Sequence, residues 1–146
     1  MGLRYAGQEG SLTLINSTTQ EQLLPSLNLE SCSFGFPFEL TKKQFMGEIG
    51  PTYREFADGW ELEYKFEPDQ ADQIVAYVNA IKAKAEGKST DEFAFQVRFA
   101  SPDGPTLQIT FRDGHFEGLP FEMGGRTEFL TGTHRAKGAP YKIQVI

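Results

Sequence analysis

This chain has little that is suited to chemistry. Its 146 residues include a single cysteine, Cys32, so no disulfide can close within it. Cys32 lies among Leu29, Phe34 and Phe36, which predicts a small core residue rather than a reactive thiolate. The two histidines, His115 and His134, stand apart in sequence. Together with one cysteine they do not make the three or four closely placed ligands of a zinc site. Both are expected to face solvent at turns or strand ends. The Gly-x-x-x-x-Gly-Lys-Ser/Thr phosphate loop and the Gly-x-Ser-x-Gly nucleophile elbow do not occur. Asp58-Gly59, Asp103-Gly104 and Asp113-Gly114 are turn signals without the ligand spacing of a calcium loop. Gly124-Gly125-Arg126 reads as a turn. Glu61 and Glu63 stand about 7 Å apart if they alternate along a strand. A glycosidase pair can be spaced so, but Lys65 and Glu67 continue the same face, as a solvated strand surface does. The expectation is therefore no enzyme, no metal and no cofactor. Long apolar runs are missing too, and Met1 to Ala6 lack a hydrophobic signal region. No membrane anchor is expected, and the chain is expected to be made and kept in the cytosol of its producing cell.

Basic residues are outnumbered, 14 against 20 acidic ones, for a net charge of −6. That balance opposes attraction to nucleic acid or to an anionic membrane and favours solubility. It also suits a surface past which nucleic acid slides without sticking.

What is present is β-structure, rich in phenylalanine. Thirteen Phe residues fall mostly on predicted strands and read as sheet core. Apolar and polar residues alternate in Trp60–Glu67, Phe93–Phe99 and Leu107–Arg112, so each strand should bury one face. Pro102-Asp103-Gly104-Pro105 joins the last two as a hairpin. Ser11–Ile15 is a short strand after a glycine-containing arm, residues 1–10. Pro25 argues against a central strand between Gln20 and Asn28. A further strand is expected from Leu29 to Leu40, with Phe34, Phe36, Phe38 and Leu40 on one face and Pro37 at an edge or bulge. Thr127–Thr133 and Tyr141–Val145 read as closing strands. Between Trp60–Glu67 and the hairpin lies one helix, residues 69–86. Asp69 stands at its N-cap, Gly87 at its stop, and Ala71, Ile74, Val75, Val78, Ile81 and Ala85 form its apolar stripe. Thr41–Gly59 is expected as a long inter-strand loop. Its apolar residues Phe45, Met46, Ile49, Tyr53 and Phe56 argue against disorder and for packing on another subunit. The sum is one mainly β domain spanning residues 1–146, a β-sandwich or partly closed barrel with one flanking amphipathic α-helix.

The order of these elements, with the runs Leu12–Asn16, Phe34–Glu39, Met46-Gly47-Glu48-Ile49-Gly50 and Phe56–Glu63, resembles the tail tube proteins of long-tailed bacteriophages. The resemblance implies a structural subunit of the virion tail, made in the host cytoplasm. Such subunits form hexameric rings that stack into a hollow tube, and DNA passes through the lumen without specific binding. The partners implied are other copies of the chain and further tail proteins, such as tape measure, terminator and baseplate or tip components. Phe45, Met46, Ile49, Tyr53 and Phe56 would then carry inter-subunit contacts. The lumen would be lined by Glu61, Glu63, Lys65 and Glu67, or by the polar face of Phe93–Phe99. Two other readings stand beside it. One is a related secretion-system tube or another tail or capsid accessory protein. The other is a small β-barrel that binds a hydrophobic ligand among its phenylalanines.

Overall fold

A computed structural model describes residues 10–24, 29–44, 46–47, 50–68, 70–100, 104–126 and 129–146. The chain is mainly β. The first strands are β1 (Gly10–Asn16), β2 (Glu21–Leu24), β3 (Leu29–Gly35), β4 (Phe38–Lys43), β5 (Thr52–Ala57) and β6 (Trp60–Phe66). The helix α1 (Ala71–Ala85) follows, and then β7 (Phe93–Phe99), β8 (Leu107–Phe111), β9 (His115–Phe116), β10 (Phe121–Met123), β11 (Leu130–Gly138) and β12 (Tyr141–Val145).

Two sheets face each other. The first has the order β12-β8-β7-β1-β2, and the second β10-β11-β6-β3 with β9 pairing β11. All pairs are antiparallel, so alternation along each strand sorts side chains into a buried and an open face. Leu12, Leu14, Phe93, Phe95, Val97, Ile109 and Phe111 of the first sheet meet Trp60, Leu62, Tyr64, Phe66 and Ala136 of the second in one core. The phenylalanines thus fill the interlayer space: Phe111 lies 4.9 Å from Trp60 and 5.7 Å from Phe34 between ring centroids. The fold is a β-sandwich with a single helix among the described residues.

Four expectations need correction. The strand expected over Leu29–Leu40 is two strands in different sheets. Pro37 has no N–H for the ladder, and the chain leaves the second sheet after Gly35. Phe34 and Phe36 keep their place against the core, whereas Phe38 and Leu40 are carried out into solvent. The long loop of residues 41–59 is mostly ladder: β4 and β5 pair from Phe38↔Ala57 to Lys43↔Thr52 as a separate two-stranded arm. The closing strand expected at Thr127–Thr133 starts at Leu130 and runs on to Gly138, while residues 127 and 128 lie outside the described part.

The helix matches residues 69–86 to within two residues at each end, but its stripe is rotated. Tyr77 and Ile81 are buried, and Val75 is exposed. The reason is polar: the Tyr77 hydroxyl finds partners inside the sandwich, which an alanine or valine stripe would not supply. The N-cap is Gln70, without a side-chain cap bond, and not the expected Asp69, which lies outside the described residues. Asp72 in the first turn and Lys82 and Lys84 in the last stand as the helix dipole favours.

Candidate functional site

The arm is the first candidate. Its two strands of six residues each are exposed along their whole length. On one face stand Phe38, Leu40, Tyr53 and Ala57, interrupted by Lys42 and Glu55. On the other stand Phe56 and Arg54, with the guanidinium 5.2 Å from the ring centre. Phe38, Leu40 and Tyr53 keep 63%, 59% and 56% of their surface in water. A lone hairpin is marginal in water at best, and apolar residues gathered on such an element mark an interaction surface. Of the residues expected to make contacts, Met46, Tyr53 and Phe56 are exposed on this arm or at its tip. Phe45 and Ile49 lie outside the described residues. Sequence reasoning did not single out Phe38 and Leu40, because it put them with Phe34 and Phe36 on one face of a single long strand.

The arm's root is fixed. The Asp58 N–H donates to the Pro37 carbonyl at 2.9 Å and ties its two legs together. Gly59 then returns the chain to β6 with φ +73°, and a Cβ there would stand 2.0 Å from the Gly138 carbonyl oxygen. Only glycine fits this crossing.

The second candidate is the outer face of the second sheet. Glu61, Glu63 and Lys65 point outward along β6, and Glu67 follows just beyond it. β6 is flanked on both sides, so these residues share their face with Ser31, Ser33 and Gly35 of β3 and with Thr133, Arg135 and Lys137 of β11. Gly35 adds no side chain, which leaves a shallow groove of about 410 Å³ along Glu61, Glu63, Arg135 and Lys137. The face is threaded by ion pairs: Arg135 to Glu63 at 3.3 Å, Lys65 to Glu30 at 3.2 Å, and Lys137 to Glu117 at 2.9 Å. The carboxylates of Glu30 and Glu67 act on each other. Glu67 and Lys65 together hold Glu30 below the usual range, and Glu30 raises Glu67. Lys137 is raised and Glu117 lowered by their mutual pair. The alternative lumen face, on β7, presents Gln96 and Arg98. Arg98 reaches Gln108 of β8 at 2.7 Å.

Inside the core lies a polar chain that sequence reasoning missed. His134, expected at the surface, is fully buried. Its Nε2–H donates to the Pro120 carbonyl at 2.9 Å. The neutral ring therefore accepts at Nδ1 from the Tyr77 hydroxyl, 2.6 Å away, and Tyr77 accepts from Tyr64. Burial pushes His134 below its ordinary value and both tyrosines well above theirs. No buried side-chain nitrogen or oxygen among the described residues lacks a partner, so the chain is a satisfied structural network. His115, by contrast, is exposed. Cys32 is half-buried, and burial pushes its thiol up to about 11. Among the described residues no three or more His, Cys, Asp or Glu side chains are grouped to hold a metal. No described helix is long and apolar enough to cross a membrane.

No protein-family model and no curated protein sequence matches the chain. Solved structures do. A chain from the anti-feeding prophage baseplate, determined with sixfold symmetrisation, superposes with a TM-score of 0.70 at 8% identity, covering 99% of this chain and 97% of that one. A chain from the sheath/tube terminator of an extracellular contractile injection system in its extended state gives 0.68 at 6% identity, with 99% of both chains covered. One from the tail of an empty gene transfer agent particle, refined with C6 symmetry, gives 0.61 at 12% identity over 97% and 99%. At such identities the likeness is one of fold, and it extends over nearly the whole of each chain.

Proposed function

We propose that this chain is a structural, non-catalytic subunit of a phage-type tail tube, forming hexameric rings that stack around a lumen for DNA. The observation that carries the reading is the exposed apolar arm. A sandwich with a filled core gains nothing in isolation from two further strands that display Phe38, Leu40 and Tyr53 to water. A subunit that packs them on a neighbour does gain. The likeness in fold to chains of tails, baseplates and terminators supports the same reading. The symmetry named for two of those assemblies supports six copies per ring.

The lumen is assigned to the outer face of the second sheet, with Glu61, Glu63, Lys65 and Glu67. Six carboxylates (Glu30, Glu61, Glu63, Glu67, Glu117, Glu122) stand there against three cations (Lys65, Arg135, Lys137), a balance of 3 − 6 = −3. The outward positions of β1, β7, β8 and β12 carry no carboxylate. A phosphate backbone is repelled by the former and not by the latter. The two injection-system likenesses favour a second reading, a tube of the same build in a contractile injection device. In either reading the contacts lie on the arm. Met46, Tyr53 and Phe56 form them on its described part, and Phe45 and Ile49 extend them.

The test is to replace residues 43–54 by a two-residue turn. The expected product is a folded, monomeric sandwich that no longer sediments as oligomers. Oligomers of unchanged size would sink the proposal.

A further inference from the structure

The first sheet is one strand wider than the second, and its extra strand is bare on the inner side. β12 pairs with β8 alone, in the register Tyr141↔Phe111, Ile143↔Ile109, Val145↔Leu107. Phe111 and Ile109 are buried, whereas Tyr141, Ile143 and Val145 keep 42%, 50% and 69% of their surface exposed. Tyr141 is met by Phe36, just past the end of β3, 4.6 Å between ring centres. Beyond it the row has no cover from the second sheet, because β3 is that sheet's last strand. The far edge of β3 pairs with no described strand. Beside β3 and opposite β12 there is thus an open slot. One wall is an unpaired backbone edge and the other a row of apolar side chains.

We propose that the arm β4–β5 of a second copy fills this slot, adding to the edge of β3 and laying Phe38, Leu40 and Tyr53 against Ile143 and Val145. The inference rests on the self-assembly reading and names the surface that receives the arm. Lengths agree: the arm has six residues per strand, β3 seven and β12 five, each roughly 17–23 Å at the strand rise. Charges agree as well. The arm's two strands carry Lys42, Lys43 and Arg54 against Glu39 and Glu55, one cation in excess, while the rim of the slot carries Glu30 and Glu67 against Lys65, one carboxylate in excess. A bound arm would pair the backbone edge of β3 and cover the row on β12 together, which completes the second layer of the sandwich. The chain's own arm does not fill the slot: Phe38, Leu40 and Tyr53 on the one and Ile143 and Val145 in the other are all exposed. Its legs are tied at Pro37 and Asp58, and its root is pinned where Gly59 crosses Gly138. Arm and slot are different patches of one chain, so the contact is head-to-tail and repeats until a ring closes.

The test mixes two variants, Leu40→Cys and Ile143→Cys, at a concentration where the wild-type chain sediments as oligomers, and then oxidises them. Both variants carry Cys32→Ser, which removes the native thiol on β3. The expected result is a disulfide-linked dimer in the mixture and none in either variant alone. Oligomers without that link would overturn the docking while leaving self-assembly intact. Monomers at every wild-type concentration would overturn both. Should either variant fail to fold, Tyr53→Cys with Val145→Cys probes the same contact with the same outcomes.

Discussion

At the residue scale, the core's polarity is concentrated in one hydrogen-bonded line from Tyr64 through Tyr77 to His134 and the Pro120 carbonyl. Its direction is fixed by the carbonyl, which can only accept. Replacing His134 by Phe leaves the Tyr77 hydroxyl without its acceptor and should cost about 1–3 kcal/mol in denaturant unfolding. The double variant with Tyr77→Phe should show a coupling energy above about 0.5 kcal/mol. The line also predicts acid lability. An ordinary histidine titrates near 6.5, and desolvation places the folded value lower. Between the two values the unfolded chain binds a proton that the native chain does not. Stability is therefore full above about 6.5 and falls as the pH drops through the folded value, by up to about 1.4 kcal/mol per unit. His134→Gln should flatten that part of the profile. A wild-type profile flat between pH 4 and 7 would show that His134 does not titrate differently on folding. The position was legible in one respect. Thr133, Arg135 and Lys137 alternate as an outward face, which sends Gly132, His134 and Ala136 inward. A histidine in a strand-end segment masked that pattern.

At the element scale, the long ladders were readable because burial on one side writes a period of two into β6, β7 and β8. The arm was not readable for the same reason: both its faces are open, and Lys42, Lys43, Arg54 and Glu55 break any alternation. Pro37 was read as an edge or bulge, and it marks where the chain changes sheets. The helix is legible from its apolar period, its charges and Gly87, yet Tyr77 falls off the expected stripe because a tyrosine counts as core only when its hydroxyl has a partner. These differences separate two kinds of change. Leu40→Ser and Tyr53→Ser should alter unfolding by less than about 0.5 kcal/mol, as exposed positions do, while abolishing oligomers in sedimentation. Gly59→Ala should do the reverse. It forces a side chain onto the Gly138 carbonyl at φ +73° and should lower stability by about 3 kcal/mol or more, measured by thermal melting. A Gly59→Ala protein that melts like wild type would contradict the described crossing of the two strands.

At the scale of the whole molecule, the chain is a filled sandwich from which two unequal features protrude, an apolar arm and a bare edge strand. Neither is needed to close the core, and both are explained by copies that complete one another. The sign of the lumen follows from which sheet faces inward. With the second sheet inward, the substitutions Glu61→Lys and Glu63→Lys turn a balance of −3 into +1 per subunit, three cations against six carboxylates becoming five against four. Tubes of that variant should retain double-stranded DNA at low salt and release it as salt rises, where wild-type tubes retain none. Equal retention by both would place another face inward.

The most direct measurement is electron microscopy of the purified protein over a range of concentrations. The account predicts rings and hollow tubes of one width, with six subunits around the axis in averaged end views. Isolated particles of monomer size at every concentration, with the arm still exposed to limited proteolysis, would contradict it.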